Sequence, residues 1–406
     1  MRKRLLFVDD EQMVLDGLRR ALWSMRNDWD MQFVSSGSDA LEALSQDSYD
    51  AIISDMRMPR MDGVELLESV KERHGDVVRI VLSGQASKDA VLRSVAPAHQ
   101  FLSKPCNLQE LKDRLNQAFC SRDLLRNQPL ASIVSRMRSL PSLPALYVEL
   151  TEALQSENTS LRQIEEIIER DIGMATKILQ LANSAFIAAH GRVSSLHEAL
   201  SLIGAETVRS LTLSIHVFSQ SSREPATAAH YSALWVHSVA VAALAQRVAM
   251  QETKNKAVSD EAFTTGLIHD VGKIVLLSEL PNEYRRVIQE ADGSPQSFHE
   301  MEMKQLGCTH GQVGAYLMSV WGLPSTIVQA VEYHDHPSEL EGKDFAPLTA
   351  VHCADVIVSS SDTAHVNRDV ELDAEYAQAL GVTDKITGWS EGYAERKQAA
   401  EKNASL

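Results

Sequence analysis

The sequence has few cysteines and no long apolar run, and each scarcity excludes a class of protein. Four cysteines among 406 residues show no paired or metal-type spacing, which is typical of buried thiols in a reducing cytosol and not of a disulfide framework. The longest apolar stretch, Val239 to Ala245, is too short to span a bilayer. The apolar run after the basic N-terminus breaks at Asp9, unlike a signal peptide. We therefore predict a cytoplasmic protein without a membrane span.

Positive charge and aromatic residues are also scarce. The sequence contains 39 Lys and Arg against 55 Asp and Glu, a formal net charge of −16, and no Lys/Arg run beyond its first few residues. A nucleic-acid-binding module needs a basic patch to neutralise phosphates, and anionic membranes attract basic segments. We therefore expect neither nucleic acid nor membrane as a partner. The low aromatic content, 5% beside 44% hydrophobic residues, is typical of a helix-rich globular chain with two or three domains.

Short apolar runs rich in branched residues alternate with helix-like stretches from Arg4 to about Cys120. Four of these runs are Leu5–Val8, Ala51–Ile53, Ile80–Leu82 and Phe101–Leu102. Such runs are typical of buried parallel strands. The pattern predicts five strand–helix units that form a doubly wound, five-stranded parallel sheet, an α/β domain of flavodoxin-like topology.

Polar residues stand where these predicted strands end. They are Asp9, Asp10, Asp55, Ser83 and Lys104, the last followed by Pro105. Ligands of open α/β sheets bind beyond the carboxyl ends of the strands, so we expect these side chains to meet. Crowded carboxylates favour the binding of Mg²⁺, and this ion also neutralises the charge of a phosphoryl group. An ammonium and a hydroxyl can contact the oxygens of the phosphoryl group. The sequence therefore predicts a phosphoryl-transfer site.

Residues 1–121 resemble the receiver domain of two-component response regulators. The matching motifs are Val8-Asp9-Asp10-Glu11, Asp55-Met56-Arg57-Met58-Pro59 with Asp62-Gly63, Leu82-Ser83-Gly84 and Phe101-Leu102-Ser103-Lys104-Pro105. The resemblance implies a phosphoprotein in which a partner histidine kinase phosphorylates Asp55. It also implies that Asp10, Asp55 and the backbone carbonyl of Arg57 bind Mg²⁺, with Asp9 helping through water.

The same resemblance implies how phosphorylation is read. Ser83 and Phe101 occupy the two positions that rearrange when receivers are switched on, and Ser83 turns toward the phosphoryl group. Lys104 contacts that group, and a cis peptide bond before Pro105 would help to aim the lysine. We expect the surface formed by residues 86–95 and Phe101 to transmit the change.

After Cys120 the strand signals almost vanish, and the pattern becomes helical. We interpret 122–136 as a linker, 137–336 as an all-helical domain, and 337–406 as its helical extension and polar tail. The second domain resembles the HDOD domain, an all-helical module that is related to HD-type metal-dependent phosphohydrolases and commonly lacks their catalysis. The motifs include Met137-Arg138-Ser139-Leu140-Pro141, Ile168-Glu169-Arg170-Asp171-Ile172-Gly173 and Val320-Trp321-Gly322-Leu323-Pro324.

Histidines and aspartates in this region have the residue types of a di-metal hydrolase site. The HD superfamily maps its core ligands onto His237, His269, Asp270 and Asp355. His310 and His334 fall where the HD-GYP phosphodiesterases of cyclic di-GMP have further ligands, and Lys273 would meet a substrate phosphate. Those enzymes carry a double histidine, a glutamate and a Gly-Tyr-Pro signature. This chain has His334-Asp335-His336-Pro337 instead, without that signature.

The sequence leaves the output of the helical region open. One hypothesis is a protein-interaction module that binds a downstream signalling protein once the receiver is phosphorylated. The alternative is a metal-dependent HD-type phosphodiesterase that holds a pair of divalent transition metals and acts on a cyclic dinucleotide. A third is that the region forms a homodimer and brings two receivers together.

Overall fold

The computed structural model of the protein divides into two compact units. The first contains Met1–Arg138, Gln180–Arg192 and Tyr316–Leu323, and the second contains the remaining residues. The structure describes residues 2–83, 98–104, 108–124, 134, 141–142, 149–150, 153, 159–183, 193–204, 208, 219–220, 225–291, 297–340, 344–361 and 370–404. Most of the predicted linker and the expected 86–95 surface lie outside these residues, so both stay predictions.

The first unit contains a parallel sheet with helices between its strands. The strands are β1 (Lys3–Val8), β2 (Trp29–Val34), β3 (Ala51–Asp55), β4 (Val78–Ser83) and β5 (Gln100–Ser103). Its helices are α1 (Gln12–Ala21), α2 (Gly37–Gln46), α3 (Gly63–Arg73) and α4 (Leu108–Leu124), with a 3-10 turn at Trp23–Met25. The spatial order β2-β1-β3-β4-β5 is doubly wound, which confirms the predicted α/β fold class.

The apolar runs of the sequence form the centre of this sheet. Leu5, Phe7, Ile53 and Ile80 have no exposed surface, because the central strands are covered on both faces. The parallel register pairs Asp55 with Leu82, and so the carboxyl ends of β3 and β4 share one edge.

The start of α3 closely approaches the predicted phospho-acceptor. Asp62 and Glu65 form a capping box that begins the helix. A Cβ atom on Gly63 would lie 2.0 Å from the backbone oxygen of Asp55, so only glycine permits this approach.

The second unit is largely helical, as the sequence pattern predicts. Its helices are α5 (Leu161–Ile168), α6 (Ile172–Ala182), α7 (Leu196–Ile203), α8 (Pro225–Thr253), α9 (Lys256–Ile268), α10 (Val271–Glu279), α11 (Pro281–Ala291), α12 (Phe298–Leu306), α13 (His310–Val320), α14 (Ser325–Tyr333), α15 (Pro347–Ser361), α16 (Ala374–Ala379) and α17 (Thr383–Ala404). A 3-10 turn covers Pro337–Glu339, and the two-residue strands β6 (Pro141–Ser142) and β7 (Ser219–Gln220) pair in parallel. The last residues of α6 and α13 belong to the first unit.

Small residues let the central helices of this unit approach closely. α8, α9 and α15 form its core, which includes Ala245, Ala262 and Ala354. A Cβ atom on Gly266 would lie 2.8 Å from the Cα of Ala242, so α8 and α9 touch almost backbone to backbone. This close packing brings polar side chains on three helices within reach of one another.

One segment of α8, Ala229–Thr253, is long and apolar enough to cross a membrane by length and composition. More than half of its most apolar stretch is buried inside the unit, where it contacts α9 and α15. The core helix of a soluble protein has the same features, so this helix is weak support for a membrane span.

Candidate functional site

An acidic pocket lies at the carboxyl edge of the parallel sheet. Asp9 directly follows β1, Asp55 ends β3 and Lys104 directly follows β5. The Lys104 Nζ lies 2.6 Å from Asp9 Oδ2 and forms a second ion pair with Asp55 Oδ1. Burial lowers the pKa of Lys104, but hydrogen bonds to Asp55 and Asp9 outweigh burial and raise it above its ordinary value. The lysine therefore stays charged between the two carboxylates.

Backbone donors hold both carboxylates in place. The N–H of Arg57 donates to Asp55 Oδ2 at 2.8 Å, and the N–H of Glu11 donates to Asp9 Oδ1 at 3.0 Å. The Asp9 residue is 1% exposed and Asp55 is 8% exposed. Two buried carboxylates that already share a cation form an oxygen-rich donor set of the kind that Mg²⁺ prefers.

The other predicted receiver residues are placed less fully. Asp10 and Arg57 are exposed at the same edge of the sheet. Ser83 ends β4 and Phe101 lies in β5, but their side chains are outside the described part, as is Pro105. The structure thus brings together Asp9, Asp55 and Lys104.

A second polar cluster lies inside the helical unit and contains all six predicted metal ligands. They are His237 of α8, His269 and Asp270 between α9 and α10, His310 at the start of α13, His334 just after α14, and Asp355 of α15. Each of them is 3% exposed or less. Buried imidazoles and carboxylates need partners, and here they are one another's partners.

The two oxygens of Asp270 face two different groups of ligands. Its Oδ2 lies 3.5 Å from His269 Nε2. Its Oδ1 lies 3.4 Å from His310 Nε2 and 3.6 Å from His334 Nε2. On the Oδ2 side, His237 Nε2 also contacts Asp355 Oδ1 at 3.0 Å. Asp270 therefore lies between two groups of imidazoles, one facing each of its oxygens.

Asp335 joins this cluster although the sequence did not mark it as a ligand. Its carboxylate oxygens lie 3.4 Å from His310 Nε2 and 3.6 Å from His334 Nε2. The available signal was its position directly after His334, where related enzymes carry a second histidine. A carboxylate there serves the same purpose as a metal ligand.

Three sets of side chains within the described residues are close enough to share a metal ion. They are His237, His269 and Asp355; His269, Asp270 and His334; and His310, His334 and Asp335. Every set has two imidazoles and one carboxylate, a combination that suits divalent transition metals.

Hydrogen bonds orient two of the imidazoles so that Nε2 faces the cluster. The Nδ1 of His269 lies 2.7 Å from the Gly266 carbonyl oxygen, and the Nδ1 of His334 lies 2.8 Å from the Val331 carbonyl oxygen. A carbonyl only accepts, so Nδ1 carries the hydrogen and Nε2 is aimed at the cluster.

Charge and hydrogen bonding inside the cluster also fit a bound cation. His269 Nε2 and Asp355 Oδ2 are buried without a hydrogen-bond partner in the described part of the chain, which costs about 1–3 kcal/mol per group. Burial lowers the pKa of His334, but the charge of Asp335 and a hydrogen bond to Asp270 outweigh burial and raise it to about 9. The carboxylates thus favour a proton on the His334 imidazole, and a metal ion that binds this nitrogen displaces that proton.

The Lys273 ammonium contacts Asp270 and does not lie at an exposed surface. Its Nζ is 2.9 Å from Asp270 Oδ1 and 3.0 Å from Oδ2, and it sits 5.6 Å from the centre of the Phe298 ring. Burial raises the pKa of Asp270, but the charges of Lys273 and His269 and a hydrogen bond to His334 together outweigh burial and hold it well below its ordinary value. The ammonium therefore neutralises Asp270 in this arrangement.

Comparison with known proteins identifies two domains in the chain. The response regulator receiver domain matches residues 5–116. The HDOD domain matches residues 140–337, so that Asp355 lies beyond the match. The chain is 25% identical over 223 residues, 54% of its length, to an uncharacterized protein of Treponema pallidum. It is 33% identical over 152 residues, 37% of its length, to the response regulator MprA of Mycobacterium ulcerans. It spans 42% and 64% of the length of these two relatives, respectively.

Two solved structures are similar to parts of this chain. The MmoQ response regulator of Methylococcus capsulatus is 25% identical, with a TM-score of 0.44, over 60% of this chain and 98% of that one. A putative phosphohydrolase of Shewanella amazonensis is 20% identical, with a TM-score of 0.37, over 67% of this chain and 95% of that one. The two domain matches show that this chain has the domain organisation of a response regulator, with an N-terminal receiver domain followed by an HDOD domain.

Proposed function

We propose that this protein is a cytoplasmic response regulator that a partner histidine kinase phosphorylates on Asp55. The observation that carries the proposal is the Lys104 ammonium shared by Asp9 and Asp55 at the edge of the sheet. Mg²⁺ would be held by Asp9, Asp10, Asp55 and the carbonyl of Arg57, and it would neutralise charge on the phosphoryl oxygens.

The residues of the pocket divide the work of phosphoryl transfer. A carboxylate oxygen of Asp55 forms the new bond to phosphorus as the bond from phosphorus to the kinase histidine nitrogen breaks. The N–H of Arg57 holds Oδ2, which orients the carboxylate. The phosphoryl group adds negative charge beside the buried Asp9, and Lys104 is in place to neutralise it.

A contact of β5 within the first unit supports the proposal that phosphorylation acts on the helical domain. Gln100 is the neighbour of Phe101, and its Nε2 donates to the carbonyl oxygen of Ser319 at 3.0 Å. Ser319 lies near the end of α13, and His310 is the first residue of that helix. A rearrangement of β5 after phosphorylation would act on Gln100, and a helix transmits such a shift as a rigid element. In the proposed function, the helical domain passes this change to a downstream signalling protein.

Labelling with a small phosphodonor tests the first part of the proposal. Wild-type protein incubated with acetyl phosphate and Mg²⁺ should gain one phosphoryl group, measured by intact mass. Asp55→Asn should gain none. The matched control is Asp62→Asn, which changes the partly exposed cap at the start of α3 and none of the residues assigned to the pocket. Labelling of Asp55→Asn equal to that of wild type would refute Asp55 as the acceptor.

The alternative output, a metal-dependent phosphodiesterase acting on a cyclic dinucleotide, is supported by the cluster around Asp270. His237, His269 and Asp355 would hold one divalent ion, and His310, His334 and Asp335 would hold a second. Such ions supply Lewis acidity that polarises a phosphodiester. Burial of the ligands and the missing Gly-Tyr-Pro signature favour the interaction output over catalysis.

Metal analysis combined with a hydrolysis assay separates the two outputs. We would measure bound metal by plasma mass spectrometry in wild type, His269→Ala and Asp270→Ala, and then hydrolysis of cyclic di-GMP. Turnover in wild type that is lost in both variants would establish the enzyme. Bound metal without turnover would indicate a structural or sensing metal beside an interaction output. Absence of both would leave the interaction output alone.

A further inference from the structure

A buried carboxylate outside the ligand sets contacts one of the candidate ligands. Glu302 of α12 has no exposed surface. Its Oε2 accepts from the backbone N–H of His310 at 2.9 Å and lies 2.8 Å from the Nδ1 of the same residue. Its Oε1 accepts from the hydroxyl of Tyr284 at 2.8 Å. Both oxygens are therefore engaged, and two of the three contacts are to His310.

The structure shows why His310 needs this partner. His269 and His334 each use a carbonyl three residues earlier, at the end of their own helix. His310 is the first residue of α13, and the first N–H groups of a helix also lack an acceptor in that helix. Glu302 supplies an acceptor for both the ring and the backbone of His310. It is a charged acceptor, and a carboxylate makes imidazole a stronger metal ligand than a neutral carbonyl does.

The contact determines where the His310 ring points. With Nδ1 held by Glu302, the Nε2 lies 3.2 Å from His334 Nε2 and 3.4 Å from Asp335 Oδ2. These three residues form one of the candidate metal sets, here called the second position. The set of His237, His269 and Asp355 is called the first position. None of the described hydrogen bonds of Glu302 reaches a residue of the first position.

We propose that Glu302 is the positioning residue of the second position and decides whether the helical domain holds one divalent transition-metal ion or two. The inference rests on the metal binding set out as the alternative function. It extends that function by making the metal affinity of the second position depend on a residue that the first position does not use. In the first position His269 is oriented by a carbonyl of its own helix, whereas in the second position His310 is oriented by a carboxylate of another helix.

Glu302→Gln is the decisive variant, because the amide keeps the size and an accepting oxygen but removes the charge. Chelator-treated full-length protein would be titrated with Mn²⁺ by calorimetry, and bound metal would be counted after equilibrium dialysis. We expect two ions in wild type. In Glu302→Gln we expect the first ion to bind with unchanged affinity and the second to bind about 10–100-fold more weakly.

Two further variants distinguish positioning from a general structural role. His237→Ala should lose the first position, whereas Tyr284→Phe keeps the carboxylate and should weaken the second ion by less than about threefold, well below the range for a lost carboxylate partner. Equal weakening of both ions in Glu302→Gln would indicate a structural role and overturn the proposal. If that variant does not fold in chelator, Glu302→Asp keeps the charge, shortens its reach and is judged by the same criterion.

The outcomes also separate this inference from the function on which it rests. A wild-type protein that binds no Mn²⁺ would overturn both the metal-dependent function and the role of Glu302. A wild-type protein that binds two ions, with both affinities unchanged within about twofold in Glu302→Gln, would overturn the role of Glu302 alone, since a lost outer partner costs about 10–100-fold.

Discussion

The receiver pocket and the helical cluster both place a lysine against buried aspartates, but they offer different ligand atoms to a cation. In the receiver, Lys104 joins Asp9 and Asp55, and its side chain is 23% exposed. In the helical unit, Lys273 joins Asp270, and its side chain is 5% exposed. The described side chains of the first site offer oxygen ligands at the edge of the sheet, the kind that Mg²⁺ prefers. The second adds imidazoles and buries its ligands, a combination that suits a transition metal.

The largest difference should come from removing each lysine. Lys273→Met leaves Asp270 buried beside other carboxylates and should lower the free energy of unfolding by about 3–5 kcal/mol in chelator. Lys104→Met removes a partly exposed ammonium from two buried carboxylates and should lower it by less, because solvent screens the exposed side of this ion pair. Urea denaturation of the two variants measures both values. Equal losses would mean that the two lysines are equivalent and would break the comparison.

Metal addition should separate the sites next. Mn²⁺ at about 100 times its dissociation constant should stabilise the helical unit by about 2.7 kcal/mol per ion. His269→Ala should remove the gain from the ion at the first position, while Asp55→Asn should retain it. Thermal melting with and without chelator gives the comparison. Loss of the gain in Asp55→Asn would show that the receiver pocket, and not the cluster, is the stabilising site.

Substitution of a glycine beside β5 tests the contacts of that strand and should have a smaller effect on stability than the lysine variants. Gly322 has a φ of +74°, and a Cβ atom there would lie 2.8 Å from Arg114 Nη1 and 3.2 Å from the Gln100 side chain. Gly322→Ala should cost about 1–2 kcal/mol in backbone strain and additionally displace these side chains. The matched control is Gly307→Ala, where φ is +72° and nothing lies within 4 Å of the added atom. If the two variants lose equal stability by urea denaturation, the crowding around Gln100 is without consequence.

The smallest expected effect on stability is that of Gln100→Met. The variant removes a single hydrogen bond to the carbonyl of Ser319, worth about 1 kcal/mol. Asp55 should still be phosphorylated at the wild-type level. Any change in Mn²⁺ affinity that phosphorylation causes in wild type should disappear, as calorimetry on phosphorylated and unphosphorylated protein would measure. A response that persists in Gln100→Met would exclude this contact as the route.

The receiver was largely predictable because its information is local. Each strand appears in the sequence as a short apolar run. The residues that follow parallel strands lie at the same edge of the sheet. Asp9, Asp55 and Lys104 could therefore be placed together from sequence, and the structure brings them together. The helical candidates were named only through resemblance, because a histidine on an apolar helix has no local sign of being a ligand.

Asp335 and Glu302 show where sequence reasoning stopped. Asp335 reaches His310 only because α14 ends beside the start of α13. Glu302 is eight residues from His310 and lies on a different helix, so no helical spacing connects the two. The pairing of β6 with β7 likewise joins segments that are far apart in the chain. Contacts of this kind depend on the path between elements, which a local pattern does not encode.

By itself, the sequence determined the order of a parallel α/β unit and a helical unit, and the polar residues at the strand ends. Periodicity and strand-end position are properties of neighbouring residues, so they are legible without coordinates. Only the tertiary structure decided which imidazoles and carboxylates meet, which ring nitrogen faces the cluster, and that Glu302 orients His310. The physical reason is that these features arise from close helix packing, such as Gly266 against Ala242, between residues distant in the chain.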